Sequence, residues 1–221
     1  PAQASAEPPA PPAPPAVYMG RRIATTMHYS GAPWLVRESR QREEDCRRLL
    51  RELRVRPGQA ICDLGCGNGF YTLQLARLTG SKGTVYAVDI QPEMLTMVRR
   101  SAREAGMENV VSVLGTETDP RLPANAFDLV LMVDVYHEFS HPEEMLAAIR
   151  KSLKPRGRLG LAEFRAEDRE VPIKPLHKMS KEQILKEFRA NGLRLAGQFD
   201  GLPWQHLMFF SRDDAVLERE Q

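Results

Sequence analysis

The sequence Asp-Leu-Gly-Cys-Gly-Asn-Gly at residues 63–69 lies between an apolar run at 60–64 and a helix-forming run at 70–78. Its three glycines allow the backbone to turn tightly and to approach a ligand closely. The first N–H groups of the following helix lack intrahelical partners and can bind an anionic group. A dinucleotide-binding loop would carry its third glycine at position 70, where this chain has Phe70. The pattern therefore predicts a strand, a tight loop and a helix that hold a ligand carboxylate.

Strand and helix patterns alternate through the rest of the chain. Short apolar runs predict seven strands, at residues 60–64, 84–88, 110–114, 127–133, 159–162, 193–199 and 206–210. The intervening segments predict helices at 70–78, 92–105, 142–153 and 180–190. Asp200-Gly201 lies in a short loop between the last two strands and is typical of a hairpin. We therefore expect an α/β fold, a Rossmann-like three-layer sandwich whose mostly parallel seven-stranded sheet ends in an antiparallel hairpin.

The region before the sheet divides into two parts. Residues 1–16 are almost entirely Pro and Ala and predict a disordered arm. Residues 17–57 predict an irregular lead-in followed by a helix at 34–54, in which Glu43 with Arg47 and Glu44 with Arg48 would form ion pairs on a solvated face. The binding domain is expected at 58–211 and a tail at 212–221.

Composition narrows the class of protein. The chain has 221 residues, 42% of them hydrophobic, and a net charge of +2, which gives no reason to expect a nucleic-acid partner. Its three cysteines are too few for a disulfide framework and do not complete a metal-ligand set, so we expect no bound metal. No apolar run is long enough to span a membrane. A cytoplasmic location is expected, while export behind a removed signal stays open.

Acidic and apolar residues at the next strand ends indicate what the loop binds. Asp89 ends the second strand about 20 residues beyond the loop, where a carboxylate meets a ribose diol in such folds. Ile90 follows and can pack on a purine. Residues 115–119, Gly-Thr-Glu-Thr-Asp, end the third strand and offer acidic groups toward an adenine amino group. These features predict a pocket for an adenosine that carries an amino-acid end.

Four motifs in order resemble the class I S-adenosylmethionine methyltransferases. They are LRVRPGQAICDLGCGNGFYTLQLA at 53–76, VYAVDIQPEML at 85–95, FDLVLMVDVYHEF at 127–139 and LKPRGRLGL at 153–161. The resemblance covers residues 53–210 and is greatest to the small-molecule branch that includes ubiquinone and menaquinone methyltransferases. It implies S-adenosylmethionine as cofactor and S-adenosylhomocysteine as product.

The resemblance also implies roles for single residues. Asp63, Gly65 and Gly67 match the positions that meet the methionine end of the cofactor, and Asp89 matches the position that meets the ribose. The other residues expected at the cofactor are Cys66, Ile90, Thr116, Glu117 and Asp134. Relatives carry Asp where this chain has Thr116, so the adenine contact stays open among Thr116, Glu117 and Asp119, with Glu117 favoured.

Residues 134–139, Asp-Val-Tyr-His-Glu-Phe, follow the fourth strand, whose carboxyl end borders the ligand crevice of an open α/β sheet. His137 is the candidate general base, with a strand-capping or orienting role as the alternative. Trp34 and Tyr136 are candidates for lining the acceptor pocket, with simple packing as the alternative. By resemblance, the lead-in that contains His28 and Tyr29 is a candidate lid.

The favoured function is S-adenosylmethionine-dependent methyl transfer to a small-molecule acceptor. A non-catalytic S-adenosylmethionine-binding protein is the alternative, and an intact Asp63 and Asp89 do not separate the two. Phe70 disfavours an NAD-dependent oxidoreductase. Nucleic-acid methylation is also disfavoured, because no Asn-Pro-Pro-Tyr motif follows the fourth strand.

Overall fold

The computed structural model describes residues 16–214. The predicted arm at 1–16 therefore lies outside the described residues except for its last position, and the predicted tail at 212–221 lies outside them from residue 215 onward. Within the described part, no helix has the length and apolar character needed to cross a membrane.

A mixed sheet forms the centre of the molecule. The described strands are β1 (Val17–Tyr18), β2 (Arg21–Arg22), β3 (Ala60–Leu64), β4 (Thr84–Asp89), β5 (Val110–Leu114), β6 (Phe127–Val133), β7 (Leu153–Phe164), β8 (Leu193–Phe199) and β9 (Gln205–Arg212). Strands β1 and β2 form a separate ribbon, and the other seven form one sheet in the order β5-β4-β3-β6-β7-β9-β8. Its first five strands are parallel, and β9 is antiparallel to both β7 and β8. The predicted mostly parallel sheet with a terminal hairpin is confirmed.

Helices cover both faces of this sheet, as predicted for a three-layer sandwich. They are α1 (Arg40–Glu44), α2 (Cys46–Glu52), α3 (Phe70–Thr79), α4 (Pro92–Glu104), α5 (Pro142–Ser152) and α6 (Lys181–Ala190). Alternate side chains of a strand point to opposite faces. Thus Ile61 packs in the cluster formed with α2 and α3, whereas Cys62 packs in the cluster formed with α5 and α6.

The predicted continuous helix at 34–54 is wrong. Residues Tyr29–Val36 form a 3-10 helix, and Asp45 adopts a left-handed conformation with φ 46° that separates α1 from α2. Asp45 also caps α2 by accepting a hydrogen bond from the Arg48 amide. The chain breaks here because α1 carries the buried residues Arg40 and Glu44 into the protein interior.

The two ion pairs predicted for this helix are also wrong. Glu43 pairs with Arg37, and Glu44 pairs with Arg37 and Arg40, each with an N–O distance of 2.7 Å. The Glu44 side chain is fully buried. A face expected to be solvated is therefore partly an internal ion-pair network, and the i,i+4 spacing of Arg40 and Glu44 does not by itself indicate that this pair is buried.

Candidate functional site

A cavity of about 440 Å³ opens at the carboxyl ends of the parallel strands. Strand β3 connects onward to β4 on one side and β6 lies on its other side, so the crevice between β3 and β6 is the switch point where such sheets bind ligands. The sequence-predicted residues that line this cavity are Trp34, Gly65, Gly67, Asp89, Ile90, Thr116, Glu117, Asp134 and His137. The fold therefore brings nine of the predicted site residues to one place.

The glycine loop has a backbone conformation that residues with a Cβ atom rarely adopt. Gly65 and Gly67 have φ of 71° and 54°. A Cβ at Gly65 would lie 2.3 Å from a methyl group of Val135, and one at Gly67 would lie 2.6 Å from Leu35. The glycines therefore allow the loop to pass closely between Val135, just after β6, and Leu35 of the 3-10 helix of the lead-in.

Asp89 joins the end of β4 to the glycine loop. One oxygen of its buried carboxylate accepts a hydrogen bond from the Gly67 amide at 3.0 Å, and the other accepts one from the Gln91 amide at 2.9 Å. Burial raises the pKa of Asp89, although these amide bonds oppose the shift. Asp89 and Ile90 both line the cavity.

Asp63 and Cys66 lie behind the loop and are not among the cavity-lining residues. The Asp63 carboxylate accepts a hydrogen bond from the Thr72 hydroxyl at 2.6 Å, and burial raises its pKa to about 6. Cys66 is also buried, which raises the pKa of its thiol well above the usual value. Both side chains point into the protein interior, Asp63 toward Thr72 and Cys66 into a cluster with Leu95 and Val98, and a cofactor contact for them stays a prediction.

The loop after β5 forms a compact turn at the edge of the cavity. The Thr116 hydroxyl accepts a hydrogen bond from the Asp119 amide at 2.9 Å, and the Thr116 amide donates to the Asp119 carbonyl at 2.8 Å. Thr116 and Glu117 line the cavity, whereas Asp119 does not. Of the three candidates for the adenine contact, Thr116 and Glu117 thus have access to the ligand space.

Asp134 occupies a strained position at the end of β6. Its φ is 51°, which is uncommon for a residue other than glycine. One carboxylate oxygen accepts a hydrogen bond from the Gln205 side chain at 2.7 Å, and the other has no partner among residues 16–214. Burial, together with the charges of Glu44 and Glu163, raises the pKa of Asp134 well above its usual value. The unpartnered oxygen is itself buried, and a buried carboxylate oxygen without a partner carries a free-energy cost that a hydrogen-bond donor would relieve.

The lead-in segment lies across the cavity. The Gln91 side chain accepts a hydrogen bond from the Tyr29 amide at 2.7 Å and donates one to the Met27 carbonyl at 3.0 Å. Asn68 of the glycine loop donates to the Ala32 carbonyl at 3.2 Å. Trp34 lines the cavity from this segment while 39% of its surface stays exposed. The segment is thus tied by hydrogen bonds to the loops that follow β3 and β4.

A second group of polar side chains lies around His137 in the cavity wall. Both oxygens of buried Glu163 accept hydrogen bonds from His137, one from its amide at 3.2 Å and one from Nδ1 at 2.7 Å. The other ring nitrogen, Nε2, lies 3.1 Å from Nδ1 of His177 and 3.8 Å from Oε1 of Glu138. The ring of His137 is therefore fixed by Glu163 and faces His177 and Glu138.

The pKa values in this group shift in different directions. Burial lowers the pKa of His137, but the charge of Glu163 and its hydrogen bond outweigh that effect and the net pKa is raised. The pKa of His177 is lowered by burial, by His137 and by Lys174. Burial raises the pKa of Glu138 to about 7.

We call the residues at the glycine loop, Asp89 and Glu117 the cofactor half of the cavity, and the residues at His137, Glu138 and His177 the acceptor half. Tyr136 belongs to neither. It is fully buried, is not among the cavity-lining residues, and donates a hydrogen bond to Glu187 at 2.7 Å. A substrate contact for Tyr136 therefore stays a prediction that this position does not favour.

Sequence reasoning missed several residues of the site. Glu138 follows His137 directly and could have been included with it. Glu163 lies near the end of β7, where the strand-end rule that located Asp89 would also have found it. His177 lies in an irregular loop about 40 residues from His137, and no spacing pattern connects the two.

Comparison with known proteins identifies relatives of this chain. Residues 56–208 match the model of a family described as a methyltransferase domain. The chain is 36% identical over 115 residues to the nocamycin O-methyltransferase of Saccharothrix syringae, a match that covers 52% of this chain and 41% of that protein. It is 30% identical over 148 residues to the ubiquinone/menaquinone biosynthesis C-methyltransferase UbiE of Cupriavidus metallidurans, with 67% and 58% covered.

Among solved structures, a SAM-dependent methyltransferase from Aquifex aeolicus matches with a TM-score of 0.78 and 26% identity, and the match covers 84% of this chain and 98% of that one. The chain spans about half the length of the curated relatives it matches.

Proposed function

Because the chain belongs to the methyltransferase domain family that its residues 56–208 match, we propose that it transfers a methyl group from S-adenosylmethionine to a small-molecule acceptor. The observation that carries this proposal is a single cavity that joins the cofactor half to the acceptor half. A methyl donor and its acceptor must meet in line with water excluded, which such a cavity allows.

The residues of the cofactor half fit S-adenosylmethionine. Asp89 presents a carboxylate to the cavity for the ribose hydroxyls, and Ile90 offers an apolar surface to the adenine beside Thr116 and Glu117. Asp134 lines the cavity and has one buried carboxyl oxygen without a hydrogen-bond partner in the described part of the chain, so a rotation of its side chain would let it accept a hydrogen bond from the ammonium group of the methionine end. S-adenosylmethionine, when bound, supplies a methyl group already activated by its sulfonium.

The acceptor half contributes groups that can hold an acceptor. His137 and Glu138 line the cavity with the aromatic rings of Trp34 and Phe164. An aromatic and imidazole wall suits a small, partly apolar acceptor with a polar reacting group. The names of the curated relatives, which include an O-methyltransferase and a C-methyltransferase, support a small-molecule acceptor and leave the reacting atom open.

Turnover measurements test this proposal against the alternative of a non-catalytic binding protein. The protein is incubated with S-adenosylmethionine and a panel of phenols, quinols, thiols and amines, and release of S-adenosylhomocysteine is followed. We expect acceptor-dependent release well above the blank without acceptor. Micromolar binding of S-adenosylmethionine without release for any acceptor class would favour the binding protein.

A further inference from the structure

Three side chains in the acceptor half direct one ligand atom each toward a common point. Nε2 of His137, Nδ1 of His177 and a carboxylate oxygen of Glu138 all lie within 4.8 Å of one another. All three residues line the cavity. They come from two separate segments, the 3-10 helix Tyr136–Glu138 and the 3-10 helix Pro175–His177.

The separations match those of atoms that share a metal ion. Two ligands at about 2.0–2.1 Å from a tetrahedral ion lie about 3.3 Å apart. Here Nε2 of His137 lies 3.1 Å from Nδ1 of His177 and 3.8 Å from Oε1 of Glu138. Small side-chain rotations would bring all three atoms to coordination distance. The 3.1 Å between the two imidazole nitrogens also fits a direct hydrogen bond, so the surroundings of the cluster decide between a hydrogen bond and a metal ion.

The surroundings of the cluster provide that support. Metal-bound histidines commonly donate their other ring N–H to a carboxylate, which orients the ring. His137 makes this contact, because its Nδ1 lies 2.7 Å from an oxygen of fully buried Glu163. The Glu138 carboxylate is oriented as well, since its Oε1 accepts a hydrogen bond from the Met27 amide at 3.2 Å. Two of the three ligand groups are thus held in position by other residues.

The charges around the cluster favour a cation. The carboxylates of Glu138 and Glu163 both approach the imidazoles in a poorly solvated part of the cavity wall. Two positive charges oppose the binding of a cation here: Lys174 acts on His177, and Arg21 has a smaller effect on His137. The Arg21 guanidinium is itself bound to Glu187, with N–O distances of 2.7 and 2.9 Å. A divalent ion between the imidazoles would balance the two carboxylates.

We propose that His137, His177 and Glu138 form a binding site for a divalent first-row transition-metal ion such as Zn²⁺. Two imidazole nitrogens and one carboxylate oxygen suit such an ion better than Mg²⁺ or Ca²⁺, which prefer oxygen ligands alone. Three protein ligands also leave a coordination position open toward the cavity, as in catalytic zinc sites. This site differs from the metal-free protein expected from the cysteines, none of which takes part.

The site gives His137 a role other than that of a general base, because its Nε2 binds the ion. On the basis of the proposed function, an acceptor hydroxyl or thiol would occupy the open position. A metal ion lowers the pKa of an oxygen or sulfur bound to it, so the acceptor would release its proton to water in the cavity rather than to a basic side chain.

Metal titration of the tag-free protein tests the site independently of turnover. The protein is treated with a chelator, dialysed, and titrated with Zn²⁺ by calorimetry and with Co²⁺ by visible absorption. We expect one equivalent to bind, with a Co²⁺ spectrum that lacks thiolate charge-transfer bands. We expect His177→Ala and Glu138→Gln to weaken binding by at least about 100-fold, and Glu163→Gln, which removes an orienting contact, by about 10–100-fold.

His206→Ala is the matched control. His206 also contacts a glutamate, Glu167, at 2.8 Å, but it does not line the cavity. We expect this variant to bind the metal like the parent protein. Binding of S-adenosylhomocysteine by each variant shows that it is folded and keeps the failure of this proposal separate from failure of the proposed function. The site is overturned if the parent binds no stoichiometric ion, or if His177→Ala and Glu138→Gln bind it as tightly as the parent does.

Discussion

The two halves of the cavity are built in different ways. Apart from Glu117, the cofactor half lies within residues 63–91, where the carboxylate of Asp89 is joined to the Gly67 backbone by a 3.0 Å hydrogen bond. The acceptor half consists of side chains from two separate 3-10 helices, and it depends on the contact of His137 with Glu163 of β7. The first half is therefore set mainly by local backbone conformation, whereas the second depends on packing between segments that are distant in the sequence.

The strongest test of this difference is Gly65→Ala. A left-handed alanine costs about 1–2 kcal/mol, and overpacking against Val135 adds about 1–3 kcal/mol. We therefore expect the free energy of unfolding, measured with urea, to fall by about 2–5 kcal/mol. Gly106→Ala is the control, because Gly106 has a similar φ of 63° but no atom within 4 Å of its Cβ position. Equal losses in both variants would show that the close contact of Gly65 with Val135 contributes nothing to the free energy of unfolding.

The next test concerns the carboxylate of the cofactor half. Asp89→Asn keeps the shape of the side chain but replaces a carboxylate, whose two oxygens accept hydrogen bonds from the Gly67 and Gln91 amides, with a neutral amide that has one acceptor oxygen. Hydrogen bonds to charged groups are worth about 1.5–3 kcal/mol, so we expect S-adenosylhomocysteine to bind about 10–150-fold more weakly in calorimetry.

Asp128→Asn is the control for Asp89→Asn. Asp128 lies at the opposite end of β6 and pairs with Lys154. We expect the Asp128→Asn variant to bind S-adenosylhomocysteine as tightly as the parent protein does. If Asp89→Asn also bound the ligand normally, the cofactor half would be misassigned.

The smallest expected effects come from substitutions of two aromatic residues, Trp34 and Tyr136, which should change different quantities. Trp34 lines the cavity, so Trp34→Ala should raise the KM for an acceptor by about 3–10-fold, as expected for loss of about 1 kcal/mol of aromatic contact. Tyr136 is buried against Glu187, so Tyr136→Phe should lower stability by about 1–2 kcal/mol and leave KM unchanged. If Tyr136→Phe alone changed KM, the acceptor would bind closer to α6, which contains Glu187, than to Trp34.

The same contrast explains which features could be predicted from the sequence. The strands and helices beyond residue 60 follow from apolar periodicity and from glycine and proline at their ends, and Asp89 follows from the strand-end rule. The break at Asp45 could not be predicted, because it results from burial of Arg40 and Glu44 by the rest of the fold. The approach of His177 to His137 likewise depends on how a loop after β7 packs over the cavity, which no local pattern records.

A crystal structure of the protein with S-adenosylhomocysteine and Zn²⁺ would show both halves of the cavity at once. We predict that the ribose hydroxyls contact Asp89, that the sulfur faces the acceptor half, and that the ion lies between His137, His177 and Glu138. A ligand whose ribose lies away from Asp89, or whose sulfur faces away from the His137 side of the cavity, would show that the two halves have been wrongly assigned.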